Sequence, residues 1–160
     1  METASISDEL MNYRAREVRE TKNIQLARKL IKILDTSDYE AMKMIFVENF
    51  KLYWGSKDEP ISLQDFIPVH KMFYSAFPDY THTIEDIFAS GNYTVARILL
   101  TATHKNEFQG IPPTHNKIAY KSIQILEIHE DKVKNAYIVE DEMTMMQQLE
   151  MELKMREVIE

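Results

Sequence analysis

Between Phe77 and Leu149 four extended runs follow one another, and tight turns join them. They span 80–89, 93–104, 118–129 and 132–139. Ser90, Gly91 and Asn92 make the first turn, because glycine takes the positive φ that a short hairpin demands. Glu130 and Asp131 make the last, and Asp tolerates the left-handed region better than most side chains. A longer loop, 105–116, carries Gly110, Pro112 and Pro113 between the second and third runs. Strands connected in this way form one antiparallel sheet, which twists and buries a face.

The preceding residues supply the cover for that face. Residues 1–22 are highly charged, with Ile6, Leu10 and Tyr13 at helical spacing and Ser5 with Asp8 as a capping box; they predict a helical arm. Ile24, Ala27, Ile31 and Leu34 continue the helical period until Asp35, Thr36 and Ser37 break it. Ser37 with Glu40 predicts the cap of a second helix, whose buried face would be Met42, Ile45, Phe46 and Phe50. Leu52, Tyr53 and Trp54 read as a short extended segment, and 55–60 as a loop. Ser62 with Asp65 opens a third helix through Ala76, with Phe66, Val69, Phe73 and Phe77 in one stripe; Pro68 falls in its first turns. From Glu140 the helical period returns in Met143, Met146, Leu149 and Leu153. Helices grouped against one antiparallel sheet make an α+β fold. The expected division is an arm at 1–22, a domain at 23–150 and a helical tail at 151–160.

Composition removes several classes of function. The formal charge of −7 has its basic residues interleaved with acids, which argues against a nucleic-acid partner. There is no cysteine, so disulfides, thiolate metal sites and thiol nucleophiles are absent. The five histidines show no ligand spacing, and only three glycines exist, each in a turn. No metal and no nucleotide or other cofactor is expected. No apolar run reaches the roughly 20 residues of a membrane span, and the N-terminus has no basic-then-apolar leader. A cytoplasmic setting is the expectation.

The order and spacing of FPD at 77–79, IED at 84–86, SGN at 90–92, VAR at 95–97, TATH at 101–104, EFQGIPPT at 107–114 and MMQQL at 145–149 resemble the SnoaL-like polyketide cyclases. These belong to the nuclear transport factor 2-like, or cystatin-like, superfamily. The resemblance spans about 23–149. It implies a cone-shaped α+β barrel, three N-terminal helices on a curved antiparallel sheet with a C-terminal helix, around an apolar cavity. It also implies a homodimer through the sheet. Family cyclases use an Asp on the last strand with a His on the strand before. The resemblance sets Ile138 at the Asp position and Gln124 at the His position, with Ala136 and Tyr137 where His and Trp often stand. A hydrocarbon cannot move a proton. His115, Asp131 and the arm at 1–22 depart from the family pattern in loops and assembly.

Tyr53, His70, Tyr74, Tyr120, Ser122, Gln124 and Ile138 are therefore the candidate cavity-lining and ligand-binding residues. Tyr120, Ser122 and Gln124 alternate along one strand face. His70 and Tyr74 sit one helical turn apart beside the aromatic stripe. Asp141 reads as the cap of the closing helix. Three functions follow as expectations. The first is a binding protein for a small apolar or aromatic molecule, without the family's Asp chemistry. The second is a cyclase or isomerase whose proton transfer has moved to His70, Tyr120 or Glu140. The third is a homodimeric interaction module. An ionisable side chain facing the cavity discriminates the second from the first.

Overall fold

The computed structural model describes residues 5–56 and 59–151. The arm and the first domain helix are one element, α1 (Ile6–Asp35). Ser5 caps it through the expected capping box with Asp8. Its second half packs Ala27, Leu30, Ile31 and Leu34 into the core. At Asn23 it also clamps the first hairpin of the sheet. Glu20 accepts the Gly91 backbone N–H at 2.8 Å, and the Asn23 side-chain amide donates to the Gly91 carbonyl at 3.0 Å. Gly91 holds φ at 59° there.

The second helix, α2 (Tyr39–Ile45), is shorter than the sequence predicts. Its cap is Asp38, which accepts the Ala41 N–H; Ser37 takes a positive φ of 51° instead of capping. Phe46 and Phe50 are not on this helix. They belong to β1 (Phe46–Trp54), where Phe46, Phe50 and Leu52 are buried. The spacing 42, 45, 46, 50 suits a helix, but 46, 50, 52 suits a strand equally. The β-branched and aromatic content of FVENFKLYW favours the strand. α3 (Leu63–Ala76) starts at Ser62 as predicted.

The sheet has five strands in the order β1-β5-β4-β3-β2. β2 (Thr81–Ser90), β3 (Tyr93–Thr103), β4 (Lys117–His129) and β5 (Lys132–Glu140) are the four runs read from sequence. β1 adds to β5 in parallel. The sheet is thus mixed, and it keeps two open edges instead of closing into a barrel. Glu130 and Asp131, at φ of 48° and 59°, turn β4 into β5. The concave face holds the core beneath the helices. The outer face exposes Ile123, Tyr137 and Val139, with Phe88 and Tyr93 toward the far edge. Three charges on that face are paired in its plane: Glu85 bridges Arg97 and Lys121.

α4 (Glu142–Gln148) begins at the Asp141 cap, so Glu140 is the last strand residue and not part of the helix. Met145 and Leu149 bury its inner side. Gln148 fastens it: its side-chain oxygen accepts the Ala119 N–H at 2.7 Å and its amide donates to the Ala119 carbonyl at 3.0 Å. The side chain thereby occupies both backbone groups of one β4 residue. Gln148→Ala is expected to lower stability by about 1–2 kcal/mol, read as a fall in the urea midpoint at unchanged slope. Leu153 and the tail beyond 151 lie outside the described residues. Among the described residues no helix is long and apolar enough to cross a membrane.

Candidate functional site

Between α1, α3 and the concave face of the sheet lies a partly open hollow of about 60 Å³. It holds a few waters at most. Beside it, an outer cleft of about 340 Å³ opens between α3, α4 and the loop at Phe108 and Gln109. Trp54, Val69, Phe73 and Glu140 line both. They are the partition through which a molecule in the cleft would reach inward.

His70 and Tyr74 line the hollow from α3; Ser122, Gln124 and Ile138 line it from the sheet. Two other candidates lie elsewhere. Tyr53 is on the opposite side of β1 from Trp54, and its ring stacks on Tyr137 at 4.9 Å. Tyr120 is fully buried behind the wall, and its hydroxyl meets that of Tyr80, which does line the hollow, at 2.5 Å. Burial pushes the hydroxyls of Tyr80 and Tyr120 well above the ordinary tyrosine range, so both stay protonated.

His70 is held at both ring nitrogens. The Leu34 carbonyl only accepts, so Nε2 donates to it at 3.1 Å. Nδ1 then accepts from the Tyr39 hydroxyl at 3.3 Å. Burial lowers its pKa to about 4, against the pull of the Leu34 carbonyl. With its lone pair engaged and its ring neutral, His70 is a wedge between α1 and α3 and not a base.

Two ionisable groups absent from the candidate cavity residues also line the hollow. His82, at the start of β2, lines the hollow, and its Nδ1 donates to Asp35 Oδ1 at 2.6 Å. Asp35 is the last residue of α1. It also accepts the Tyr74 hydroxyl at 3.1 Å and the His82 backbone N–H at 3.3 Å. This pairing fixes the tautomer: the neutral ring has its hydrogen on Nδ1 and its lone pair on Nε2. Among the described residues Nε2 has no hydrogen-bond partner.

The second group is Glu140. Burial pushes its carboxyl up to about 7, and the charge of Glu142 adds to the shift. Its carboxyl has no hydrogen bond or ion pair among the described residues. It stands two residues after Ile138, on the same strand face. The position that the family resemblance assigns to an Asp is hydrocarbon, and an ionisable group appears one step further along that face. Glu140 pairs across the sheet with Ser122, and Ile138 with Gln124. Ser122 and Gln124 are buried residues whose polar side-chain atoms face the hollow without a hydrogen-bond partner among the described residues. The side-chain atoms sealed from solvent without a partner among the described residues are instead Trp54 Nε1, on the wall of the hollow, and His104 Nε2. No cluster of three potential metal ligands occurs among the described residues.

The chain belongs to the SnoaL-like polyketide cyclase family, whose pattern residues 24–149 match. Several solved structures share its fold. AclR of Streptomyces galilaeus, described as a candidate hydroxylase, is 21% identical with a TM-score of 0.75, over 82% of this chain and 97% of its own. IdmH of Streptomyces antibioticus, described as a candidate polyketide cyclase, is 20% identical with a TM-score of 0.74, over 81% and 99%. A candidate polyketide cyclase of Bacillus cereus is 25% identical with a TM-score of 0.69, over 81% of each chain. Comparison with curated proteins finds no significant match.

Proposed function

We propose that this protein is an acid–base enzyme of the cyclase or isomerase kind, acting on a small, mostly apolar carbonyl compound without a metal or cofactor. The observation that carries this reading is the pair of ionisable groups on the cavity wall, His82 held by Asp35 and Glu140 shifted to about 7. Two titratable groups in differing environments are the usual basis for separate acid and base roles.

His82 is on β2 and Glu140 on β5, with β3 and β4 between them. Glu140 lies in register with Ile84 through Ser122 and Ile98, two residues beyond His82; three strand spacings of about 4.8 Å and that offset put the two backbones roughly 16 Å apart along a flat sheet, and curvature shortens this. A substrate therefore lies with its bulk in the outer cleft and its reacting end past Glu140. His82 Nε2 removes a proton from the carbon beside a carbonyl. Gln124 and Ser122 donate to the enolate oxygen. The carbon attacks a second carbonyl of the same molecule, and the Glu140 carboxyl gives its proton to the new alkoxide. One C–H bond breaks, one C–C and one O–H bond form. Proton exchange with water returns both groups to their starting states.

Trp54 is the only tryptophan and lines both spaces, so its fluorescence reports occupancy. With a panel of aromatic ketones and 1,5-diketones in D₂O, members that quench Trp54 are expected to exchange their α-protons faster than in buffer. Glu140→Gln and Asp35→Asn should abolish the excess. Equal exchange in the wild type and both variants would reject the catalytic reading. Quenching without exchange would leave the narrower one, a binding protein for a small hydrophobic molecule, which Ile138 at the family's Asp position favours.

For the outer face of the sheet we propose a second copy of the chain as partner, through Ile123, Tyr137 and Val139. Such an apolar patch, beside the paired Glu85, Arg97 and Lys121, suits a protein surface better than water. A single-chain mass at millimolar concentration would reject it.

A further inference from the structure

We propose that residues 152–160 fold back onto the outer cleft and cover it until a ligand displaces them. The competition with a ligand rests on the function proposed above; the contact itself does not. The described chain ends at the rim of that cleft. Glu150, at φ of 62°, stops α4. Its N–H bonds to the Gln147 carbonyl at 3.0 Å, and the Met151 N–H reaches back to the Met146 carbonyl at 3.1 Å. This paired motif closes a helix end, and it keeps Met151 within one hydrogen bond of a residue that lines the cleft. Met72, Phe108 and Met145 line it with Met146. The Asn116 side-chain amide fixes the exit, donating to the Gln148 carbonyl and to Glu150 Oε1, both at 3.0 Å. Nine residues follow Met151, and they reach about 13 Å as a helix and about 30 Å extended. A cleft of about 340 Å³ that begins at their first residue lies within that reach.

The sequence of this segment has a face for the cleft. At helical spacing Met155, Val158 and Ile159 fall within one arc of about 100°. Lys154 borders the arc on one side, and Glu152 and Arg156 on the other; Leu153, Glu157 and Glu160 fall opposite. The cleft is mostly apolar, and the charged residues that line it are Glu140 and Glu142, both acidic. A Met, Val and Ile face suits its methionines and aromatic rings, and Lys154 and Arg156 at the margins suit its carboxylates. A ligand then binds with an apparent affinity reduced by the fraction of molecules that are uncovered.

The chain has no cysteine, so two introduced thiols report the contact in the full-length protein. Met155→Cys with Met72→Cys is expected to close an intramolecular disulfide under mild oxidation, severalfold faster than Leu153→Cys with Met72→Cys. Adding Lys154→Glu and Arg156→Glu to the first pair should slow the link, and adding Glu142→Lys to that chain should restore it. Equal rates for the two pairs, or no restoration by Glu142→Lys, would overturn the proposal. Once linked, the chain should lose the quenching of Trp54 by ketones that its reduced form shows; quenching that survives the link would overturn the competition. If no ketone quenches Trp54 in either form, the function proposed above fails, while the linking rates still decide the contact.

Discussion

Glu140→Gln is expected to lower turnover by about 10²–10⁴, the usual contribution of a positioned acid, and at the same time to stabilise the protein in alkali. Folded, the Glu140 carboxyl titrates near 7; unfolded, a glutamate titrates near 4.3. Between those values the folded chain keeps a proton that the unfolded chain has released. Stability therefore falls as pH rises through that window, and the cost is complete above 7. A neutral amide has no such cost. At pH 8 the variant should gain about 2 kcal/mol, a value reduced for the half-open position of the group. At pH 4 the two chains should match. His70 works in the opposite sense. Its folded value near 4 lies below the ordinary 6.5, so its contribution is present above 6.5 and is lost as pH falls toward 4. In the wild type the two slopes oppose each other between about 4.5 and 6.5. Glu140→Gln uncovers the His70 slope alone. Urea midpoints from pH 4 to 8 check both, and no gain at pH 8 would mean that the carboxyl is too well hydrated to serve as a neutral acid.

Asp35→Asn is expected to cost on the order of 10³ in turnover with the fold retained. The amide presents a donor as readily as an acceptor, so the imidazole loses the charge and the tautomer that leave its Nε2 lone pair toward the hollow. Trp54 quenching by a bound ketone should persist, which separates lost chemistry from lost binding. Tyr74→Phe removes one of the donors to Asp35 and leaves the two from His82. Its effect should be several-fold, with the pH–rate profile displaced. If Asp35→Asn turned over at the wild-type rate, His82 would not be the base.

The strands β2 to β5, both of their short turns and the caps Ser5, Ser62 and Asp141 are legible from residue order, because local φ preference and period-two alternation decide them. β1 is not, since Met42, Ile45, Phe46 and Phe50 satisfy a helical period as well. Alternation puts Tyr120, Ser122 and Gln124 on one face of β4, and the family resemblance makes that face, with Ile138 on β5, the cavity side; Ser122, Gln124 and Ile138 do line the hollow, whereas Tyr120 lies behind it. The same rule separates Tyr53 from Trp54, as Leu52 and Trp54 share a face and Tyr53 takes the other. The His82–Asp35 pair has no local signature. Asp35 looks like the residue that ends a helix, and only the packing of α1 on β2 brings it to a histidine 47 positions later. A charged residue directly after a buried apolar stripe was the one available hint. Glu140 was legible as a carboxylate near the sheet, but its shift depends on the depth at which β5 ends and on Glu142.

The proposed base and its carboxylate come from the opening of β2 and the close of α1, whereas the proposed acid is contributed by the end of the last strand. Loop closure between such distant stretches is among the slower steps of folding. During synthesis, then, this chemistry stays silent until Glu140 has left the ribosome. A nascent chain halted after β4 would pair only β2, β3 and β4, leave β1 without its neighbour, and lack the proposed acid.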